Sequence, residues 1–100
     1  MDYNITTTGN ETSVRMEGQF TFSDTQKFKN ILDLVTQDKV KSLALNLAGI
    51  TFIDSSSMGM LLLLRDECQS RNIPLNIRSP QGQVEKIFRI SKFYDLFSIS

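Results

Sequence analysis

The chain has no histidine and only one cysteine, Cys68, among its 100 residues. Without His and with a single thiol, a structural zinc site has no ligand set, and a Ser-His-Asp triad cannot be assembled. A lone cysteine also forbids an intrachain disulfide. Its place after Leu64 and Arg65 and before Gln69 fits a half-buried helical position, where Cys behaves as a small hydrophobe. Prolines (two) and glycines (five) are too scarce for a disordered chain. No charge of either sign dominates: Lys and Arg total 11, Asp and Glu total 11, so composition implies no nucleic-acid-binding face. The longest apolar run, Met58 to Leu64, is interrupted by Gly59 and falls far short of the roughly 20 residues of a membrane span. Met1-Asp2-Tyr3-Asn4 lacks the basic and apolar regions of a signal peptide, which predicts a cytoplasmic protein. Gly82, in Pro80-Gln81-Gly82-Gln83, lacks the spacing and the lysine of a phosphate loop. Asp66 and Glu67 are adjacent on a predicted helix and so point in different directions, as on a solvated face rather than in an acid-base dyad. The expectation is a protein that is not an enzyme and needs no cofactor and no metal.

What remains is ordinary globular material, 40% hydrophobic and 22% charged, enough for one domain over residues 1–100. Residues 3–8 are rich in β-formers, Gly9-Asn10-Glu11 is a turn signal, and Thr12 to Met16 alternates, which predicts a hairpin. Glu17-Gly18 interrupts it, and Gln19-Phe20-Thr21-Phe22 reads as a short third extended piece. Ser23 or Asp24 then caps a helix whose stripe is Phe28, Ile31, Leu32 and Val35, ending near Gln37. Ser42 to Leu47 alternates as a central strand. A second helix is predicted from Ser57 to about Arg71, with Leu61, Leu64 and Cys68 buried. Leu75-Asn76-Ile77-Arg78, preceded by Pro74, reads as a short strand, possible at a sheet edge. Ser79-Pro80 supplies an N-cap and first position for a third helix bearing Val84, Ile87 and Phe88. Phe93 to Phe97 closes the chain as a docked helical turn. A hairpin followed by β-α alternation predicts an α/β fold: a mixed sheet with helices packed mainly on one face.

Between the strand ending at Ile53 and the apolar block Leu61-Leu62-Leu63-Leu64 lies Asp54-Ser55-Ser56-Ser57-Met58-Gly59-Met60. A polar knot between two apolar blocks belongs where the chain surfaces and turns. Asp54, Ser55 or Ser56 can cap the following helix. Three serines exceed what one cap needs, and a serine in the first turn of a helix is a place where a phosphate is accommodated by free N–H groups and the helix dipole. A phosphate there would act on an approaching partner surface. Met58 and Met60 offer adaptable apolar contacts beside it.

Phe52-Ile53-Asp54-Ser55-Ser56-Ser57-Met58-Gly59-Met60-Leu61 resembles the signature of STAS domains, the anti-sigma factor antagonist family: two apolar residues, Asp, Ser, Ser or Thr, a small residue, an apolar residue, Gly. The resemblance extends along the chain through Gly18, Phe20-Thr21-Phe22, Leu45-Asn46-Leu47 and Ser79-Pro80 with Val84 and Phe88. It implies a phosphorylation-controlled binding module with Ser56 as phosphoacceptor and Ser57 as the second candidate, since Ser57 stands where the family often has Gly. It further implies a capping role for Asp54, and a contact surface of Asp54, Ser55, Ser57, Met58 and Met60. The implied partners are a serine kinase that is also an anti-sigma factor, which binds the unphosphorylated form, and a metal-dependent serine phosphatase that resets it. Short members of the family also serve other outputs, in biofilm or signalling circuits and in lipid-transport complexes. A constitutive subunit with Asp-Ser-Ser as a mere cap, or a domain binding a nucleotide or small molecule beside the motif, are the alternatives.

Overall fold

A computed structural model describes all of residues 1–100. Strands β1 (Asp2–Thr8) and β2 (Glu11–Phe20) form the expected hairpin, antiparallel in register from Asp2↔Glu17 to Thr8↔Glu11. A 3-10 turn, Phe22–Asp24, leads into α1 (Thr25–Thr36), followed by β3 (Ser42–Ile53) and α2 (Ser55–Ser70). Then come β4 (Leu75–Arg78), α3 (Gly82–Ile90), α4 (Phe93–Leu96) and a two-residue β5 (Ser98–Ile99).

The sheet order is β1-β2-β3-β4-β5, parallel throughout except for the β1–β2 hairpin. That order explains the layering. Each parallel crossover moves one strand further in the same direction, and crossovers are right-handed, so every helix lands on the same face. The register places Val14, Leu45 and Ile77 side by side on that face, all fully buried. Ile31 and Val35 of α1, Leu61 and Leu64 of α2, and Val84 and Phe88 of α3 complete one core. Phe20 stacks on Phe28 and Phe88 on Phe93, with ring centroids 5.2 and 5.0 Å apart. Cys68 is part of this core, and burial, with Glu67 adding to it, pushes its thiol pKa up to about 11. It is a packing residue there.

The opposite face is polar. Arg78 on β4 makes two hydrogen bonds with the Glu11 carboxylate on β2, at 2.9 and 3.0 Å, across the intervening β3. On that face Ala44 lies between Ser42, the register partner of Glu11, and Asn46, the partner of Arg78. Ala44 is buried although no helix covers it.

Three expectations change. Glu17-Gly18 does not end a strand: β2 runs through it, with the β2–β3 register shifting between Arg15 and Glu17 and between Gly18 and Gln19. Gly18 takes φ +92, and at Gly49, opposite Glu17, a Cβ would stand 2.8 Å from Glu17 Cγ and 3.0 Å from the Met16 carbonyl oxygen. Only glycine permits that approach at a bulge. Thr21-Phe22 is not strand either. The Asp24 carboxylate accepts from Thr21 N–H at 2.9 Å while Asp24 N–H donates to the Thr21 carbonyl at 2.9 Å, closing the 3-10 turn. Ser79-Pro80 does not cap α3, which starts at Gly82 after an extended Gln81. Ser79 sits at φ +59 with its N–H on the carbonyl of Ser100, the residue that follows β5.

Candidate functional site

The parallel strands β2 and β3 end together, Phe20 opposite Ile53. The bulge is what brings these two ends level. Asp54 sits at the junction in extended conformation as the N-cap of α2. Its Oδ1 accepts from Ser57 N–H at 2.8 Å, and its Oδ2 accepts from Phe22 N–H at 3.0 Å. One carboxylate therefore caps the helix and pins the 3-10 turn beside it. These two N–H groups, Ser57 first and Phe22 second, hold the Asp54 carboxyl below its ordinary pKa, so it is ionised near neutral pH. Ile53 N–H reaches the Gln83 side-chain oxygen at 3.4 Å, which ties the same edge to α3.

The three serines separate cleanly. Ser57 is fully buried. Its hydroxyl accepts from Asp54 N–H at 3.0 Å and donates to the Asp54 carbonyl at 2.9 Å, completing a reciprocal capping box. Ser57, expected as alternative phosphoacceptor and as contact residue, is thus placed under the first turn with its hydroxyl engaged in the cap. Ser55 and Ser56 are exposed and make no side-chain hydrogen bond within the chain. The helix begins two residues earlier than the periodicity predicts, at Ser55, so both lie in its first turn.

Met58 and Met60 are half-buried and pack against the core. Met60 also lines an apolar groove of about 260 Å³ between α1 and α2, together with Phe28, Leu32, Leu63, Thr25 and Lys29. Gly59 and Met60 lie three and four residues after Ser56, and Leu63 three after Met60, so the exposed serine and the groove share one helix face. Leu63 is 50% exposed and Phe22 70% exposed. Gly59 is exposed, and a Cβ there would meet nothing within 4 Å.

Sequence reasoning missed Phe22, Leu63 and the α1 wall of the groove. A signal existed for Leu63. Four consecutive leucines advance about 100° each around a helix, so they cannot all point inward. With Leu61 and Leu64 in the core, Leu62 and Leu63 turn away from its centre, and Leu63 is the one that ends exposed. Phe22 carried no such signal, because its exposure follows from the 3-10 turn.

No helix is long and apolar enough to cross a membrane. A STAS-domain containing protein of Pseudomonas aeruginosa (strain UCBPP-PA14) is 35% identical over 92 residues, covering 92% of this chain and 90% of that protein. The Bacillus cell fate determinant SpoIIAA in its phosphorylated form superposes with a TM-score of 0.77 at 17% identity, covering 99% of this chain and 91% of that one. An anti-sigma factor antagonist from Mycobacterium paratuberculosis superposes with a TM-score of 0.80 at 10% identity, covering 98% of this chain and 83% of that one. Identities this low establish a shared fold, that of the anti-sigma factor antagonists. The STAS domain family matches from residue 2 to residue 100, and the chain belongs to that family.

Proposed function

We propose that this protein is a phosphorylation-controlled binding module of a partner-switching system. In its unphosphorylated state it binds a serine kinase that doubles as an anti-sigma factor. Phosphorylation of Ser56 releases that partner, and a metal-dependent serine phosphatase restores the binding form. The observation that carries this reading is the division of labour within Asp54-Ser55-Ser56-Ser57. Asp54 and Ser57 are spent on the cap, while Ser56 is free on the first turn of α2, on the face that continues into the Met60–Leu63 groove.

The physical mechanism is local. A phosphate on Ser56 adds about −1.5 to −2 charges at the helix N-terminus, where the dipole favours an anion and the helix need not melt. The fold is preserved, and the change is felt by a partner that must bring its own surface against Phe22, Leu63 and the phosphoserine. Desolvating that charge beside an apolar groove is unfavourable unless the partner supplies cations. Ser55, Met58 and Met60 contribute contacts around the acceptor, and Asp54 acts by holding the loop.

The test is site mapping by mass spectrometry after incubation with the cognate kinase and ATP. One phosphate on Ser56, and none on a Ser56→Ala variant, is the expected result. Phosphate persisting on that variant at Ser55 would move the acceptor, and no phosphate on either chain would overturn the switch.

A further inference from the structure

The hairpin leaves one long sheet edge open. At the other end of the sheet β5 is only two residues long, which blunts that edge. β1 runs seven residues, Asp-Tyr-Asn-Ile-Thr-Thr-Thr, without proline or lysine and with an unbroken register against β2. Asn4 through Thr8 are all exposed, including Ile5 at 43%. None of the usual devices that protect a sheet edge is present, apart from the single charge of Asp2.

Which backbone groups face outward follows from the turn. Gly9 has φ +61 and Asn10 does not take a positive φ, as in the type II′ turn of a two-residue hairpin. Such a turn is closed by a hydrogen-bonded pair, here Thr8↔Glu11. Alternation then makes Thr6, Asn4 and Asp2 the other residues bonded to β2, and leaves Thr7, Ile5 and Tyr3 with N–H and C=O groups pointing away from the sheet. The Thr7 and Thr12 hydroxyls lie 3.1 Å apart, as the closer side chains of a non-hydrogen-bonded pair should.

We propose that this edge pairs with β1 of a second copy of the chain, antiparallel about a two-fold axis at Ile5. Tyr3, Ile5 and Thr7 are spaced symmetrically around that axis. Ile5 exchanges two hydrogen bonds with Ile5 of the other copy, and Tyr3 does so with Thr7 in each direction, giving about six inter-chain bonds. Ile5 covers Ile5, and Asp2 stands opposite Thr8, so no like charges are opposed. The result is a continuous sheet of two five-stranded halves. The motif that follows β3, two strands in from this edge, stays free for its own partner. An edge pairing of this length lies below the about 1,200 Å² of a standard interface, so the dimer is weak and reversible.

Sedimentation equilibrium over a concentration series, combined with backbone amide NMR, tests this. The wild-type chain should show a reversible monomer–dimer equilibrium, with amide shifts of Tyr3, Ile5 and Thr7 moving with concentration and those of Asn4 and Thr6 staying still. Ile5→Pro removes only an outward N–H, and Ile5→Lys places a charge on the edge. Each should raise the dissociation constant by at least about tenfold. A wild-type chain monomeric at every concentration overturns the proposal. So does a dimer whose concentration-dependent shifts map elsewhere or that persists in the folded variants. If neither variant folds, the wild-type amide map decides the question.

Discussion

Asp54 and Ser57 cap each other: the Asp54 carboxylate accepts from Ser57 N–H at 2.8 Å, and the Ser57 hydroxyl accepts from Asp54 N–H at 3.0 Å. The reciprocity matters because Ser57 is fully buried, so its removal leaves donors with no water to turn to. Ser57→Ala should cost about 1–3 kcal/mol in denaturant unfolding. Ser57→Asp should cost more than Ser57→Ala, since it adds a buried charge, whereas Ser56→Asp at the exposed neighbouring position should stay within about 0.5 kcal/mol of wild type. Equal losses at the two positions would contradict the burial that separates them.

The second prediction concerns acid. Asp54 has a folded-state pKa below its ordinary 3.8, because Ser57 and Phe22 N–H groups bond its ionised form. A lowered carboxylate pKa contributes stability that is present above the unfolded pKa and lost as pH falls through the folded one. Asp54→Ala should therefore lower Tm by about 5 °C near neutral pH. The gap from wild type should narrow below the ordinary pKa as the wild-type carboxylate is protonated. Asp24 is lowered as well: burial opposes its ionisation, but its bonds to the Met1 amine and Thr21 N–H outweigh that. Comparing wild type with the variant removes this shared contribution. A gap independent of pH would contradict the assigned role of the Asp54 charge.

Gly59 supplies a prediction that separates folding from recognition. Glycine in a helix interior is disfavoured relative to alanine by about 1 kcal/mol, and here a Cβ would meet nothing. Gly59→Ala should raise stability by about 0.5–1 kcal/mol. The isolated domain thus gives no packing reason for glycine at this position. A partner backbone approaching the first turns of α2 does give one, so the same variant should bind the kinase more weakly. A stabilised variant with unimpaired binding would place Gly59 outside the contact surface.

The elements that periodicity could reach were legible in the sequence. Phe28, Ile31 and Val35, and Leu61, Leu64 and Cys68, repeat at helical spacing, and both lines are buried. The one-sided layering followed from the β-α order. What was not legible depends on non-local bonds. Phe22 reads as strand by composition, yet it is turned outward by an Asp24–Thr21 bond and fixed by Asp54, 32 residues away. Ser79-Pro80 has helix-start chemistry, but the Ser100 carbonyl takes the Ser79 N–H and postpones the helix. β5 is too short to register as a pattern. Within the motif, residue type alone leaves three equivalent serines, and the family resemblance is what singles out Ser56. The helix begins at Ser55, and this phase turns Ser57 under the chain and leaves Ser55 and Ser56 outside.

The most direct measurement is the affinity of the cognate kinase for three forms of the protein: wild type, Ser56→Asp, and wild type carrying phosphate stoichiometrically on Ser56. Affinity should fall by at least about tenfold for the phosphorylated form, with the same direction and a smaller size for Ser56→Asp, and that variant should keep an unchanged thermal unfolding profile. Equal affinity of the phosphorylated and unphosphorylated forms would contradict the switch.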